Sequence, residues 1–405
     1  MKVDGPRLHR RLAELAAVGD TGDGGVCRLA LTDDDRAGRD LLVTWMRELG
    51  LRVDVDVVGN ITGTWPADSH EPPVLCGSHL DTVRTGGRFD GALGVVAGLE
   101  AIETVITAGV RLARPVAVAA FTDEEGARFP PDMLGSLVYV GGMASEEALA
   151  VTDRDGVVLG EELARIGYQG AVPCPRPPPA AYVELHVEQG PVLEAEGATI
   201  GVVTGVQGIS WQELTLIGQS NHAGTTPMHL RHDAGAVAAR IAVAVRELAL
   251  APDGPHVATV GRLDLHPDLV NVVPGRAVLT VDLRDGDEAV LAAAEARLAA
   301  TCAELAAAEG VELRARSLAR FAPAAFEPSM VALVEEVAVA RGHRVLRLPS
   351  GAGHDAQMLA RVCPAAMVFV PSERGISHNP AEHTAPEDVE AGADVLLDLL
   401  VRLAT

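Results

Sequence analysis

Cysteine is sparse and scattered in this chain, lysine is scarce, and no apolar run is long enough to cross a bilayer. Each shortage excludes something. The five cysteines, Cys27, Cys76, Cys174, Cys302 and Cys363, are odd in number and form no CxxC pair, so neither a disulfide framework nor a thiolate zinc site fits. The N-terminal stretch MKVDGPRLHRRLAEL has no apolar segment of the signal-peptide kind, which reads as a reduced cytoplasmic protein. Positive charge is in deficit: 33 basic against 56 acidic residues leave a net charge of −23. That balance disfavours nucleic acid and anionic membrane as partners. Neither a phosphate-binding glycine-lysine loop nor a GxSxG serine elbow occurs.

What is present is an ordinary globular composition over 405 residues, 48% apolar and 22% charged, long enough for two or three domains. Residues 7–18 and 34–49 have helical periodicity, the second behind a Thr32-Asp33 cap. LRVDVDVVGN (51–60) alternates like a strand and stops at a Gly59-Asn60 turn. PPVLCGSHLD (72–81) and RPVAVAAFTDEE (114–125) are buried strands, with a helix over 92–109 between them. AYVELHVEQGPVLE (181–194) is another strand, reached through the proline-rich connector PCPRPPPA. This alternation predicts an α/β layer architecture with a largely parallel sheet, whose functional groups gather at the strand carboxyl ends. Residues 209–321 change rhythm to βαββαβ, the order of a ferredoxin-like unit, and the α/β pattern resumes with a helix near 328–341. The expected organisation is a discontinuous catalytic domain, 1–208 and 322–405, interrupted by an inserted domain over 209–321. Hinges are expected near Gly205–Gly208 and residues 319–324. Trp211, on the first inserted strand, reads as a packing residue.

The chemistry-bearing residues fall in GSHLDTVRTGGRFDGALG (77–94) and FTDEEGARF (121–129), with further histidines at His186, His354, His378 and His383. Each has an ordinary reading by itself: a surface histidine, a solvated glutamate pair, an Asp-Gly turn. Their concentration at strand ends and in glycine-rich loops favours a hydrolytic metal site, which needs neutral imidazoles, ionised carboxylates and a base for the water proton.

Seven stretches in chain order, GSHLDTVRTGGRFDGALGVVAGLE, FTDEEGARF, ELHVEQGPVLE, GQSNHAGTTPM, NVVPGRAVLTVDLR, SGAGHDAQMLA and GISHNPAEHT, resemble the M20 group of metal-dependent amidohydrolases. Within it the likeness is to the hydantoinase/carbamoylase branch of N-carbamoyl-L-amino-acid hydrolases, β-ureidopropionases and allantoate amidohydrolases. The resemblance implies two divalent ions per subunit, zinc first, with manganese, cobalt or nickel also compatible. It makes His79 and His186 ligands of one ion and Glu125 and His378 ligands of the other. Asp90 is the bridging carboxylate, and Glu124 the general base. Asp81 is implied to orient the His79 imidazole through its carboxylate. His383, five residues beyond His378, reads as a solvent-facing neighbour. His222 is implied to stabilise the oxyanion and His354 to stand near the substrate. Gln189 is implied to contact the urea-like group, and Asn271 with Arg284 to bind its carboxylate. The ordinary reading of Arg284 is a strand-end arginine paired with Asp282 or Asp285. The implied activity is cleavage of the carbamoyl C–N bond of an N-carbamoyl-L-amino acid by metal-activated water. Allantoate amidohydrolase and β-ureidopropionase are the nearest alternatives; an aminoacylase, a dipeptidase or a non-catalytic binding protein are more remote. The inserted domain is implied to act as a lid and to form a homodimer.

Overall fold

The alternation of buried strands and amphipathic helices is realised as two compact units in the computed structural model, which describes residues 1–254 and 256–405. The first unit is Met1–Gly205 with Phe326–Thr405; the second is Val206–Ala325. The strands in chain order are β1 (Arg52–Val55), β2 (Ile61–Trp65), β3 (Val74–His79), β4 (Val116–Phe121), β5 (Ala181–Val187), β6 (Ile200–Val206), β7 (Gly208–Ile217), β8 (Asn221–His222), β9 (Val257–His266), β10 (Val272–Val273), β11 (Arg276–Asp285), β12 (Glu312–Phe321), β13 (Ala324–Ala325), β14 (Val345–Ser350) and β15 (Ala365–Val370).

In the first unit the sheet runs β1-β2-β4-β3-β5-β15-β6. Its centre, β4-β3-β5-β15, is parallel. The flanking pairs β1–β2, β2–β4 and β15–β6 are antiparallel. The sheet is therefore mixed rather than largely parallel. Every residue of β3, β4, β5 and β15 is buried, as strands covered on both faces must be, and this explains the unbroken apolar runs of β4 and β15. Helices Ala92–Thr107 and Pro386–Ala404 pack against each other and against these strands. The helix Asp33–Glu48 begins where expected: the Thr32 side chain accepts the Asp35 N–H, and Asp33, Asp34 and Asp35 stand at the positive end of its dipole. LRVDVDVVGN yields only the four-residue β1 before the chain turns at Gly59, whose φ is +88°. Cys76 lies in β3 with no exposure and is free, as are the other four cysteines.

The carboxyl ends of the central strands are the chemically loaded edge. β3 ends at His79, β4 runs into Thr122-Asp123-Glu124-Glu125, and β5 carries His186 next to its last residue.

The second unit has the strand order β12-β7-β11-β9, antiparallel throughout. Helices Ala234–Leu250 and Glu288–Glu309 supply the βαββαβ connections. Its core joins Leu214, Leu216, Ile241, Leu279, Leu283, Leu291 and Leu298. A short separate ladder pairs β8 with β10, opposing His222 to Val272. Trp211 is 39% exposed rather than packed, with the Arg284 guanidinium 5.8 Å from its ring centre. On a sheet whose other face holds the core, its strand position turns it outward. No helix of the described residues is long and apolar enough to cross a membrane.

Candidate metal and catalytic site

At the edge described above, His79 Nδ1 lies 2.8 Å from the Asp81 carbonyl oxygen, and His186 Nδ1 lies 2.9 Å from the Val187 carbonyl oxygen. A carbonyl only accepts, so both Nδ1 atoms carry the proton and each neutral ring is left with an Nε2 lone pair. Both Nε2 atoms face Asp90 Oδ1, at 3.5 Å from His79 and 3.2 Å from His186. His79 Nε2 is also 3.4 Å from Glu124 Oε2. The other oxygen of Asp90 faces the opposite way. His378 Nε2 is 3.4 Å from Asp90 Oδ2 and 3.4 Å from Glu125 Oε2. Asp90 thus presents one oxygen to each of two ligand-like groups, His79/His186 and Glu125/His378, whose donor atoms lie within 4.8 Å of one another.

Acceptors facing acceptors in a buried space are costly unless positive charge intervenes. In the bare protein that charge can come only from protons. Burial opposes an imidazolium at His79, but Glu124, Asp90, Asp81 and Glu125 outweigh it and hold the ring well above its ordinary pKa. Burial also opposes charge on Asp90, yet the facing His186, His378 and His79 keep its carboxyl well below the usual range. Burial pushes Glu124 well above the carboxylate range, reinforced by Asp355, Glu125 and Asp81 against the pull of His79. Burial and Asp90 push Glu125 up to about 7. Contact with Asp90 holds His378 up to about 9. Divalent cations would satisfy the same acceptors, and the donor set, imidazole and carboxylate without thiolate, fits them.

The local backbone is built around this crowding. Gly91, after Asp90, has φ +63°, and a Cβ there would lie 2.4 Å from the His79 ring. Asp123, Gln189 and His378 hold left-handed φ values of +55°, +59° and +52°, conformations that cost energy in non-glycine residues and concentrate at functional sites. Below the site, the fully buried Arg28 donates from Nε to the Leu80 carbonyl at 2.7 Å, fixing the loop after β3.

Asp81 requires a correction. It does hold the His79 imidazole, but through its main-chain carbonyl. Its carboxylate accepts the backbone N–H groups of Glu124 and Glu125, each at 3.3 Å. An acid two residues after a strand-end histidine can present either oxygen type, and spacing does not distinguish them. His354 is buried against His186, ring centres 4.6 Å apart, with Nε2 2.8 Å from Ser350 Oγ; burial pushes its pKa well below normal. Gln189 donates from Nε2 to Asp90 Oδ2 at 2.8 Å, and its buried amide oxygen has no hydrogen-bond partner among the described residues. His383 is exposed and its ring meets Phe89 edge-on.

The remaining candidates belong to the second unit. His222 and Asn271 are brought together by the β8–β10 ladder, with the Ala223 N–H donating to the Asn271 carbonyl at 2.9 Å, and both residues are exposed. The Arg284 guanidinium is held by Asp282, at 2.9–3.1 Å, which is the ordinary pairing anticipated for it.

Two buried residues, Glu184 and Glu382, and the partly buried Ser377 were not singled out from sequence. Glu184 accepts from Ser78 Oγ at 2.7 Å and from the Ala356 N–H at 2.8 Å. Its signal was available, since it lies two residues before His186 on one strand and so shares its face. Glu382 and Ser377 both reach the Asp90 loop; only the closure of two distant loops reveals this.

Comparison with known proteins agrees with this geometry. Residues 50–402 match the model of peptidase family M20/M25/M40. The chain is 42% identical over 404 residues to the N-carbamoyl-L-amino-acid amidohydrolase of Rhizobium meliloti, covering 100% of this chain and 97% of that protein. It is 35% identical to the allantoate amidohydrolase of Bacillus subtilis, covering 96% of this chain and 95% of that one. A solved amidase of the hydantoinase/carbamoylase family from Burkholderia multivorans superposes with a TM-score of 0.95 at 48% identity, covering 100% of this chain and 98% of that one. A near-full-length family match, relatives above a third identical end to end, and an acid–imidazole cluster at the strand ends together establish that the chain belongs to peptidase family M20/M25/M40.

Proposed function

We propose that the protein hydrolyses the carbamoyl C–N bond of an N-carbamoyl-L-amino acid, releasing the free amino acid with ammonia and carbon dioxide. The observation that carries this reading is Asp90, whose two oxygens face two separate imidazole–carboxylate groups with Glu124 alongside. His79, His186 and Asp90 would hold one divalent cation and Asp90, Glu125 and His378 a second, supplying charge that acidifies water and polarises the carbamoyl carbonyl. Glu124 takes the proton of the attacking water and returns it to the amino-acid nitrogen as the C–N bond breaks. Asp81 anchors the backbone of the Glu124-Glu125 pair, so the base and its neighbour move as one. Gln189, with an amide oxygen that has no described donor, offers an acceptor for the terminal ureido NH2, a group that a plain peptide bond lacks. His222 is assigned to the oxyanion, Asn271 and Arg284 to the substrate carboxylate, and His354 to the substrate's surroundings.

The proposal includes zinc as the first candidate ion. It also includes a homodimer formed through the second unit acting as a lid, and a cytoplasmic setting; all of these rest on the motif resemblance. The test is release of ammonia and amino acid from a panel of N-carbamoyl-L-amino acids, N-carbamoyl-β-alanine, allantoate and N-acetyl amino acids, with stripped enzyme reloaded with zinc, manganese or cobalt. Metal-dependent turnover of an N-carbamoyl-L-amino acid above the others is the expected result. Preference for allantoate or N-carbamoyl-β-alanine would move the assignment to those activities, and silence across the panel with metal bound would overturn it.

A further inference from the structure

Asp90 and His378 lie on loops that no secondary structure joins. Asp90 follows the Gly86-Gly87 turn after β3, and His378 sits between β15 and the last helix, nearly half exposed and in a left-handed backbone conformation. One exposed contact joins the two loops directly, the Thr85 hydroxyl donating to the His378 carbonyl at 3.1 Å. Glu382, four residues beyond His378 in the same loop, adds a buried link. It is 4% exposed. Its Oε1 accepts the N–H of Phe89 at 2.8 Å and the N–H of Asp90 itself at 3.1 Å. The single hydroxyl hydrogen of Ser377, the residue before His378, stands between Asp90 Oδ2 at 3.1 Å and Glu382 Oε2 at 3.3 Å. Glu382 thereby touches both loops, its Oε1 taking two main-chain N–H groups, and it belongs to none of the ligand-like groups. Room for it is reserved at Gly87, where a Cβ would lie 2.2 Å from the Glu382 carboxyl carbon.

We propose that Glu382 is a positioning residue that ties the Asp90 loop to the Ser377–His378 loop and so sets the geometry of the Asp90–Glu125–His378 cation site. This rests on the two-cation reading above. A carboxyl oxygen that accepts two adjacent main-chain N–H groups fixes the direction of the side chain. Partners that orient metal ligands commonly contribute 10- to 100-fold to metal affinity.

The test is zinc titration of chelator-stripped wild type, E382A, E382D and E382Q by competition with a chromogenic chelator, with steady-state kinetics of the zinc-loaded forms. Wild type should take up two zinc ions. E382A and E382D, which cannot reach both loops, should weaken the weaker ion by about 10- to 100-fold and lower kcat more than they raise KM. E382Q can keep its amide carbonyl toward Phe89 and Asp90 and should restore most of that loss. If E382A fails to fold, the E382D–E382Q pair carries the same contrast. Unchanged affinity for both ions in E382A and E382D, or an E382Q no better than E382D, would overturn the assignment. A wild type that binds fewer than two ions would instead sink the two-cation reading itself.

Discussion

The candidate residues of the first unit and those of the second are built in opposite ways. His79, Asp90, Glu124 and His186 are each under a tenth exposed, and the ring nitrogen of each histidine that faces away from the cluster is already committed to a backbone carbonyl. His222 and Asn271 are exposed on a two-residue ladder, and Arg284 is committed to an aspartate of its own strand. The first arrangement is preorganised for charge that must not move during reaction. The second is made of groups that can still be recruited, which suits contacts to a substrate that comes and goes. Damage to the first set should remove turnover; in the second, damage to Asn271 or Arg284 should mainly alter substrate affinity, and loss of His222, assigned to the oxyanion, should lower kcat.

The sharpest break is removal of the cations. Chelation should abolish turnover and zinc should restore it, and the pH dependence of stability carries an independent signature. In the bare protein, burial pushes Glu124, Glu125 and Glu382 up, the latter two to about 7. The rings of His79, His186 and His378 are held up by their carboxylate neighbours. All six groups keep protons in the folded state that the unfolded chain releases at lower pH, so stripped-protein stability falls as pH rises from about 5 to 8. His354 and His343, pushed down by burial, act in the opposite sense, two groups against six. Cation binding displaces those protons and strengthens with pH. The Tm difference between zinc-loaded and stripped protein should therefore be larger at pH 8 than at pH 5.5, measured by differential scanning calorimetry. A difference that shrinks with pH would mean that the cations do not occupy this cluster.

The next effect belongs to the base. Glu124→Gln removes the proton acceptor and keeps the size, so kcat should fall by about 10²- to 10⁴-fold, with the zinc content unchanged by atomic absorption. Turnover near wild type would remove Glu124 from its role.

Much of this was legible in the sequence, and the reason is physical. Strands buried on both faces are rich in apolar residues, so β3, β4 and β5 announce themselves, and the polar residues at the carboxyl ends of β3 and β4 fall at the site edge. The Thr32 cap and the βαββαβ order were legible for equally local reasons. What stayed hidden depends on direction or on closure. The antiparallel edges of the first sheet depend on which strand returns beside which, and β2 pairs with β4 rather than with its sequence neighbour β3. The role of Asp81 turns on which of its oxygens faces the ring. Glu382 lies in a motif already recognised, but its partners are 292 and 293 residues away.

For Asn271 and Arg284, assigned to the substrate carboxylate, the effects are smaller and fall on KM. Arg284→Ala should raise KM for carboxylate-bearing substrates by about 10- to 100-fold, the worth of a hydrogen-bonded charge at roughly 1.5–3 kcal/mol, and leave kcat within a few-fold. An unchanged KM would sink the carboxylate assignment.

Asp282 sharpens the same point from the other side. It stands two residues before Arg284, on the same face of β11, and accepts from both Nε and Nη2 of the guanidinium. A substrate carboxylate that takes Arg284 must compete with it or share it. Both side chains are partly exposed, at 23% and 30%, and pairs of that kind contribute about 0.2–1 kcal/mol. Asp282→Asn should therefore lower KM by no more than about five-fold and leave kcat unchanged. The opposite sign is equally informative. A KM that rises in Asp282→Asn while Arg284→Ala also raises it would mean that Asp282 aims the guanidinium at the substrate, and the second unit would then be preorganised in the same sense as the first.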